Sequence, residues 1–307
     1  MMLAALFAAS GLCARPHSEQ VAFTFDDLPG LSLSTSQEFV TAYNTRLIAG
    51  LRRHHIPATG FVNEGKLDAL VRERQIDILK MWLDAGFALG NHTYSHISPN
   101  AVGAKAYTND IARGAVETRA LDAAHGITLH WFRHPYLETG TPADEKHKID
   151  HWLLENRYTI APVTMENSDW MFSEPYDDAL MRHDEAAASH IKAAYLAYTA
   201  YIVPWYRRAG HALLGRGMSY VMLLHSTRLN ADTIDKLAEI FARNHLMPVT
   251  LEKAMEDRAY EIPDPYTGAD GIDWLERWGL YLKKDLPWDD FKEPPEDIQA
   301  YYKRVDR

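Results

Sequence analysis

An α/β barrel is implied by two features of this 307-residue chain. From Val21 onward, short β-type runs alternate with longer stretches of helical periodicity, the pattern of βα units around a parallel sheet. The alternation gives seven strands, enough for a closed or nearly closed barrel that absorbs most of the length in one domain.

Taken in order, the strands are placed at Val21–Phe25, Ala58–Val62, Phe87–Gly90, Thr128–Phe132, Thr159–Pro162, Tyr220–Leu224 and Met247–Thr250. Between them, Ser36–His54 and Leu67–Ala85 read as helices, the second with Ile76, Leu79, Trp82 and Leu83 on one face. Asn230–Asn244 is a third, with Asn230 or Asp232 as cap and Ile234, Leu237, Ile240 and Phe241 as its apolar stripe. The stretch Tyr176–Leu214 is long for one βα connection and is expected as a helical insertion beside the barrel mouth. The barrel therefore spans 21–255, and 256–307, rich in Pro, Asp and aromatic residues, is expected as an extension packed onto it.

Composition narrows the function. Charged residues make up 24% and the net charge is −10 with no basic block, so a surface that tracks nucleic-acid phosphates is not expected. Cys13 is the single cysteine, which excludes an intrachain disulfide framework and leaves His, Asp and Glu as the only metal ligands. Met1–Leu12 is an apolar run too short to span a bilayer. It reads as the core of a signal peptide cut near Ala14, predicting an exported protein without a transmembrane anchor.

Polar clusters stand where five of the strands end. Thr24-Phe25-Asp26-Asp27 places adjacent acids at the first exit, a pair that alone would more often be a turn cap. Asn91-His92-Thr93-Tyr94-Ser95-His96 follows the third strand, and its two histidines converge if the segment makes a helical turn. Spacing alone is weak, because His147 and His151 repeat it on an expected solvated face, and the Asn91 sequon reads as coincidence. Arg133-His134-Pro135-Tyr136 leaves the fourth strand with a proline-fixed loop, so Arg133 could orient a carboxylate and the Tyr136 N–H could face a ligand. Ser168-Asp169-Trp170 follows the fifth strand, and Leu223-Leu224-His225 closes the sixth. Such strand ends are where barrel enzymes build their sites. Trp131, Tyr136 and Trp170 are candidates to pack on a sugar ring.

The set TFDD, HTYSH, RHPY, SDW and LLH, in this order, resembles the polysaccharide deacetylase family, the NodB-homology or carbohydrate esterase family 4 deacetylases, over roughly Val21 to Thr250. That resemblance implies a distorted, TIM-like (β/α)7 barrel and metal-dependent removal of acetyl groups from N-acetylated sugars or acetylxylan. It implies Asp27, His92 and His96 as ligands of a divalent metal, most often Zn2+, Asp26 as general base and His225 as general acid. Arg133 would hold Asp26, Asp169 would tune His225, the Tyr136 backbone would donate to the oxyanion, and Trp170 and Leu223 would wall the acetyl pocket. The fourth motif departs from the family in carrying Glu166-Asn167-Ser168 where another Asp often stands.

Three other readings compete. A relative acting on a small amide or imide would use the same fold and metal. A non-haem iron oxygenase also uses two histidines and a carboxylate, though the βα rhythm and the extra Asp26 speak against it. A glycan-binding module without activity would have lost an acid, a base or a ligand, and here every position is filled.

Overall fold

The computed structural model describes residues 19–306, so the expected signal peptide and Cys13 lie outside the described residues. Among the described residues there are eight strands: β1 (Gln20–Leu28), β2 (Ala58–Val62), β3 (Ala88–Asn91), β4 (Trp131–Phe132), β5 (Thr159–Ile160), β6 (Met165–Glu166), β7 (Ser219–His225) and β8 (Met247–Val249). The helices are α1 (Gln37–Arg53), α2 (Arg72–Asp84), α3 (Pro99–Arg113), α4 (Val116–Ala124), α5 (Ala143–Glu155), α6 (Asp169–Met181), α7 (Glu185–Leu214), α8 (Arg228–Arg243), α9 (Leu251–Met255), α10 (Trp274–Leu282) and α11 (Glu296–Val305).

All pairings are parallel, in the order β5-β4-β3-β2-β1-β7-β6. The sheet curls into a distorted barrel because one extended run serves both of its ends. β5 pairs with β4, and β6, five residues on, pairs with β7. Between them the Ala161 N–H donates to Phe132 (2.8 Å) and the Thr164 N–H to Val221 (3.0 Å). The single strand expected at Thr159–Pro162 is therefore split, and only Trp131–Phe132 of the run Thr128–Phe132 pairs as strand. β8 is not a stave between neighbours; it pairs with Gln20–Ala22, where β2, whose register begins at Phe23, has not yet started.

Period-two alternation sorts the strand residues between two cores. Val21, Phe23 and Phe25 of β1 join the main core under the outer helices, together with Tyr220, Met222 and Leu224 of β7. Ala22, Phe61, Trp131, Ala161 and Val221 fill the barrel interior, sealed below by Leu251 and Ala254 of α9. The same parity turns Asp26, Arg133 and His225 inward.

Helix starts follow side-chain chemistry. Ser36 caps α1 by accepting from the Phe39 N–H. α8 begins earlier than expected, at Arg228, because Thr227 accepts from the Asn230 N–H; Asn230 is thus free for another role. α2 begins at Arg72 rather than Leu67, after a 3-10 turn over Glu64–Asp68. The stretch 176–214 is the end of α6 and the whole of α7, whose Tyr195, Ile202, Trp205 and Ala209 are buried in the main core. The residues after 256 lie against the barrel through α10 and α11, with the Trp274 N–H donating to Val163 (2.7 Å).

Candidate active site

The strand exits converge on one cavity of about 730 Å³, lined among others by Asp26, Asp27, Lys66, His92, His96 and His225. β1 breaks register between Phe25 and Leu28, and Asp27 takes a left-handed backbone (φ 66°). That irregularity lets adjacent carboxylates, which a regular strand would send to opposite faces, share the mouth.

Asp27, His92 and His96 offer ligand atoms that lie within 4.8 Å of one another. His92 Nε2 is 3.9 Å and His96 Nε2 3.7 Å from Asp27 Oδ1, a buried oxygen with no hydrogen-bond partner. An orphaned carboxylate oxygen facing two imidazole nitrogens suits a divalent cation. His92 Nδ1 lies 2.8 Å from the Arg133 carbonyl, which fixes that nitrogen as donor and leaves the Nε2 lone pair toward the cluster. Burial lowers both histidines to about 4, so both are neutral donors near pH 7. Burial alone would raise Asp27; the Lys66 ammonium first, and at acid pH the protonated imidazoles of His96 and His92, hold it well below the usual carboxylate range. Lys66 Nζ stands 3.3 Å from Asp27 Oδ2.

The histidines do not meet through a helical turn. Residues 92–98 form a loop with left-handed backbone at Thr93 and His96. Asp110 of α3 ties it down, accepting from the Tyr94 and Ser95 N–H groups (3.1 and 2.8 Å) and from Ser95 Oγ (2.9 Å). Asn91 is fully buried and donates to the Ile111 carbonyl and Tyr158, leaving no room for a glycan. His147 and His151 are exposed on α5, remote in character from the cluster.

Asp26 and Arg133 form a buried pair beside the cluster. Arg133 Nη1 reaches both Asp26 oxygens at 3.3 Å, while Nη2 donates to Thr24 and Nε to the Ala161 carbonyl. Burial raises the Asp26 pKa, with Arg133 opposing. On the other side, His225 Nδ1 lies 2.8 Å from Asp169 Oδ1, and the His225 N–H donates to Asp169 Oδ2 (2.7 Å). Burial pushes His225 down, but the charge and hydrogen bond of Asp169, helped by Asp27 and Asp26, carry it up to about 9. Asn230 completes this arm by donating to Asp169 Oδ2 (2.5 Å) and to the His225 carbonyl (2.8 Å).

Tyr136 has a left-handed backbone (φ 56°), and its exposed ring meets the His96 ring edge to face at 4.5 Å. Trp170 and Leu223 line the cavity, Trp170 against Tyr302 of α11. Trp131 is corrected as a sugar platform: it is buried in the barrel interior with its indole N–H on Glu252. Lys66 is a cavity residue outside the five motifs that the strand-exit rule reaches, since Asn63-Glu64-Gly65-Lys66 follows β2 directly. Asn230, Asp110 and the cavity walls from Tyr206, Ile272, Asp273 and Trp288 carry no local signal.

Comparison with known proteins places this arrangement. The family model described as polysaccharide deacetylase matches residues 14–150. The peptidoglycan-N-acetylglucosamine deacetylase of Bacillus cereus is 26% identical over 151 residues, 49% of this chain and 46% of that protein. The match thus spans about half the length of the curated relative. Among solved structures, the chitin deacetylase of Colletotrichum lindemuthianum superposes with a TM-score of 0.54 at 19% identity, covering 81% of this chain and 91% of that one. A CE4 family pseudoenzyme of Bacillus anthracis gives 0.52 at 17% identity, covering 78% and 66%. These structures share the curled parallel barrel, and the polysaccharide deacetylase model matches the part of this chain, somewhat under half of its length, that bears Asp26, Asp27, His92, His96 and Arg133.

Proposed function

We propose that this chain is a metal-dependent hydrolase that removes acetyl groups from N-acetylated, or O-acetylated, sugars of a polysaccharide or oligosaccharide. The observation that carries the reading is the placement of the Asp27–His92–His96 cluster between the Asp26–Arg133 and His225–Asp169 pairs, all in one cavity. The name of the Bacillus cereus relative supports an acetylated glycan as substrate.

Amide hydrolysis must take a proton from water and give one to the leaving nitrogen. A divalent ion held by Asp27, His92 and His96, with Zn2+ the best fit to neutral imidazoles and one carboxylate, would acidify a water and polarise the carbonyl. Asp26, oriented by Arg133 and made more basic by burial, accepts the water proton at its carboxylate. The Tyr136 backbone N–H donates to the carbonyl oxygen as that atom gains charge. His225, protonated near neutrality, delivers its Nε2 proton to the departing nitrogen while Asp169 holds Nδ1. Trp170 and Leu223 wall the acetyl methyl group. A binding-only role is disfavoured because base, acid and ligand positions are all filled.

Among the described residues no helix is long and apolar enough to cross a membrane. Export to the periplasm or the outside fits the apolar leader and a glycan substrate.

A second reading, hydrolysis of a small amide, is favoured by the walls that Ile272, Asp273, Trp288, Phe291 and Tyr302 raise around the cavity. Acetate release from chitin oligomers, peptidoglycan and acetylxylan, beside small amides, with and without chelator, tests both. Chelator-sensitive acetate from a glycan is expected. Turnover confined to small amides would select the second reading, and no chelator-sensitive product from any compound would remove both.

A further inference from the structure

We infer that Arg277 and Gly271, in the extension beyond the barrel, clamp the Tyr136–Leu137 backbone and so aim the Tyr136 N–H at the substrate carbonyl. The inference rests on the deacetylase reading above and assigns these two positions to it as positioning residues.

Tyr136 and Leu137 are consecutive non-glycine residues in left-handed backbone, each at φ 56°. Such strain persists only where the surroundings over-determine it. On the upstream side Pro135 is rigid. Downstream, both carbonyls are met from the extension. Arg277 of α10 has a fully buried side chain, and its Nη2 donates to the Leu137 carbonyl. Its Nη1 donates to Thr139 Oγ1 (3.1 Å) and to Asp264 Oδ2 (3.0 Å), and its Nε to the Ile272 carbonyl (2.9 Å). The guanidinium plane is covered by Trp274 and Tyr266, 4.3 and 4.9 Å from their ring centroids. The fork is therefore divided between the loop after β4 and the extension, with Asp264 supplying the counter-charge that burial of a guanidinium requires.

Gly271 closes the other contact. A Cβ built on it would overlap the Tyr136 carbonyl oxygen, yet Gly271 is exposed and its φ is not positive. An alanine there meets no backbone penalty of its own, and its collision falls on the Tyr136 peptide. Tyr136, Gly271 and Ile272 line the same cavity as Asp26 and His225. With Pro135 stiff on one side and, on the other, the Leu137 carbonyl bonded by Arg277 and the Tyr136 carbonyl packed against Gly271, the direction of the Tyr136 N–H is set from about 135 residues away in sequence.

Gly271→Ala and Arg277→Lys in the full chain loaded with Zn2+ test the clamp on chitin oligomers. Lysine keeps the charge but cannot divide a planar fork. Each variant is expected to lower kcat about 10²-fold with KM and Zn2+ affinity nearly unchanged, the effect of moving a donor by about 1 Å. A Cβ against a backbone oxygen must displace one of the two segments, so Gly271→Ala as well as Arg277→Lys is expected to melt earlier than the native chain; kcat is therefore read well below both melting temperatures, where KM and Zn2+ affinity report an intact fold. Native kcat in Gly271→Ala, or a loss of turnover matched by a loss of Zn2+ binding, overturns the clamp. Absence of acetate release from the native chain itself overturns the functional reading and the clamp with it.

Discussion

Asp26 and Asp27 are neighbours whose acid–base behaviour diverges because different groups face them. Asp26 sits inside the barrel against a guanidinium that only partly offsets its burial, whereas Asp27 faces Lys66 and two imidazoles that together overcome the same burial. One is suited to accept a proton and the other to stay a charged ligand. Asp26→Asn should keep the fold and Zn2+ while lowering kcat about 10²–10⁴-fold. A near-native rate would take Asp26 out of the base role. The proposed role of His225 as general acid requires its protonated form, so kcat/KM should fall as pH rises through about 9. Asp169→Asn removes the largest upward influence and leaves burial pushing down, so this alkaline limb should move to lower pH. A limb that stays put in the pH–rate profile would detach Asp169 from the acid. The linked stability follows the same sign: the folded pKa lies above the free value of 6.5, so the contribution is full below about 6.5 and is lost as pH rises through about 9.

At the scale of elements, the loop after β3 shows why spacing misleads. His-x3-His suggests a helical turn, but Thr93 and His96 adopt left-handed backbone, and the curvature comes from Asp110, fourteen residues after His96. A carboxylate accepting two backbone N–H groups and a hydroxyl can shape a loop as firmly as helical hydrogen bonds do. Asp110→Ala should loosen the two imidazoles and weaken Zn2+ binding about 10–100-fold, the usual cost of losing a supporting contact. Titration with Zn2+ reads this directly, and unchanged affinity would mean that the loop holds its shape unaided. The split of the fifth strand has a similar origin. Thr159–Ile160 falls within the strand read at Thr159–Pro162, but Met165–Glu166 is too short to announce itself, and only their different partners, β4 and β7, separate them.

For the whole molecule, the cluster couples ligand binding to folding. Its three donors come from two strand exits that meet only in the folded state, so a cation that binds them stabilises the native chain by mass action. Zn2+ at about a hundred times its dissociation constant should add about 2.7 kcal/mol to the unfolding free energy. Thermal melting should show the shift in the native chain and lose it in His92→Ala. An equal shift in both would place the bound ion elsewhere. The extension after 256 packs into the same core as the barrel. Trp274, Leu275 and Trp278 are buried in the main core, and Tyr302 packs on Trp170 at the cavity.

The chain by itself determined the barrel's rhythm and the inward parity of Asp26, Arg133 and His225. Period-two alternation is a property of local backbone geometry, and a strand's exit can be read from the residues that flank it. Tertiary structure alone decided that Asp27, His92 and His96 meet, that Asp110 shapes their loop, that Asn230 holds the Asp169–His225 arm, and that the extension walls the cavity. Those contacts join residues separated by tens to more than a hundred positions. They exist only because burial of the two cores fixes the helices and loops relative to the sheet, which no local pattern encodes.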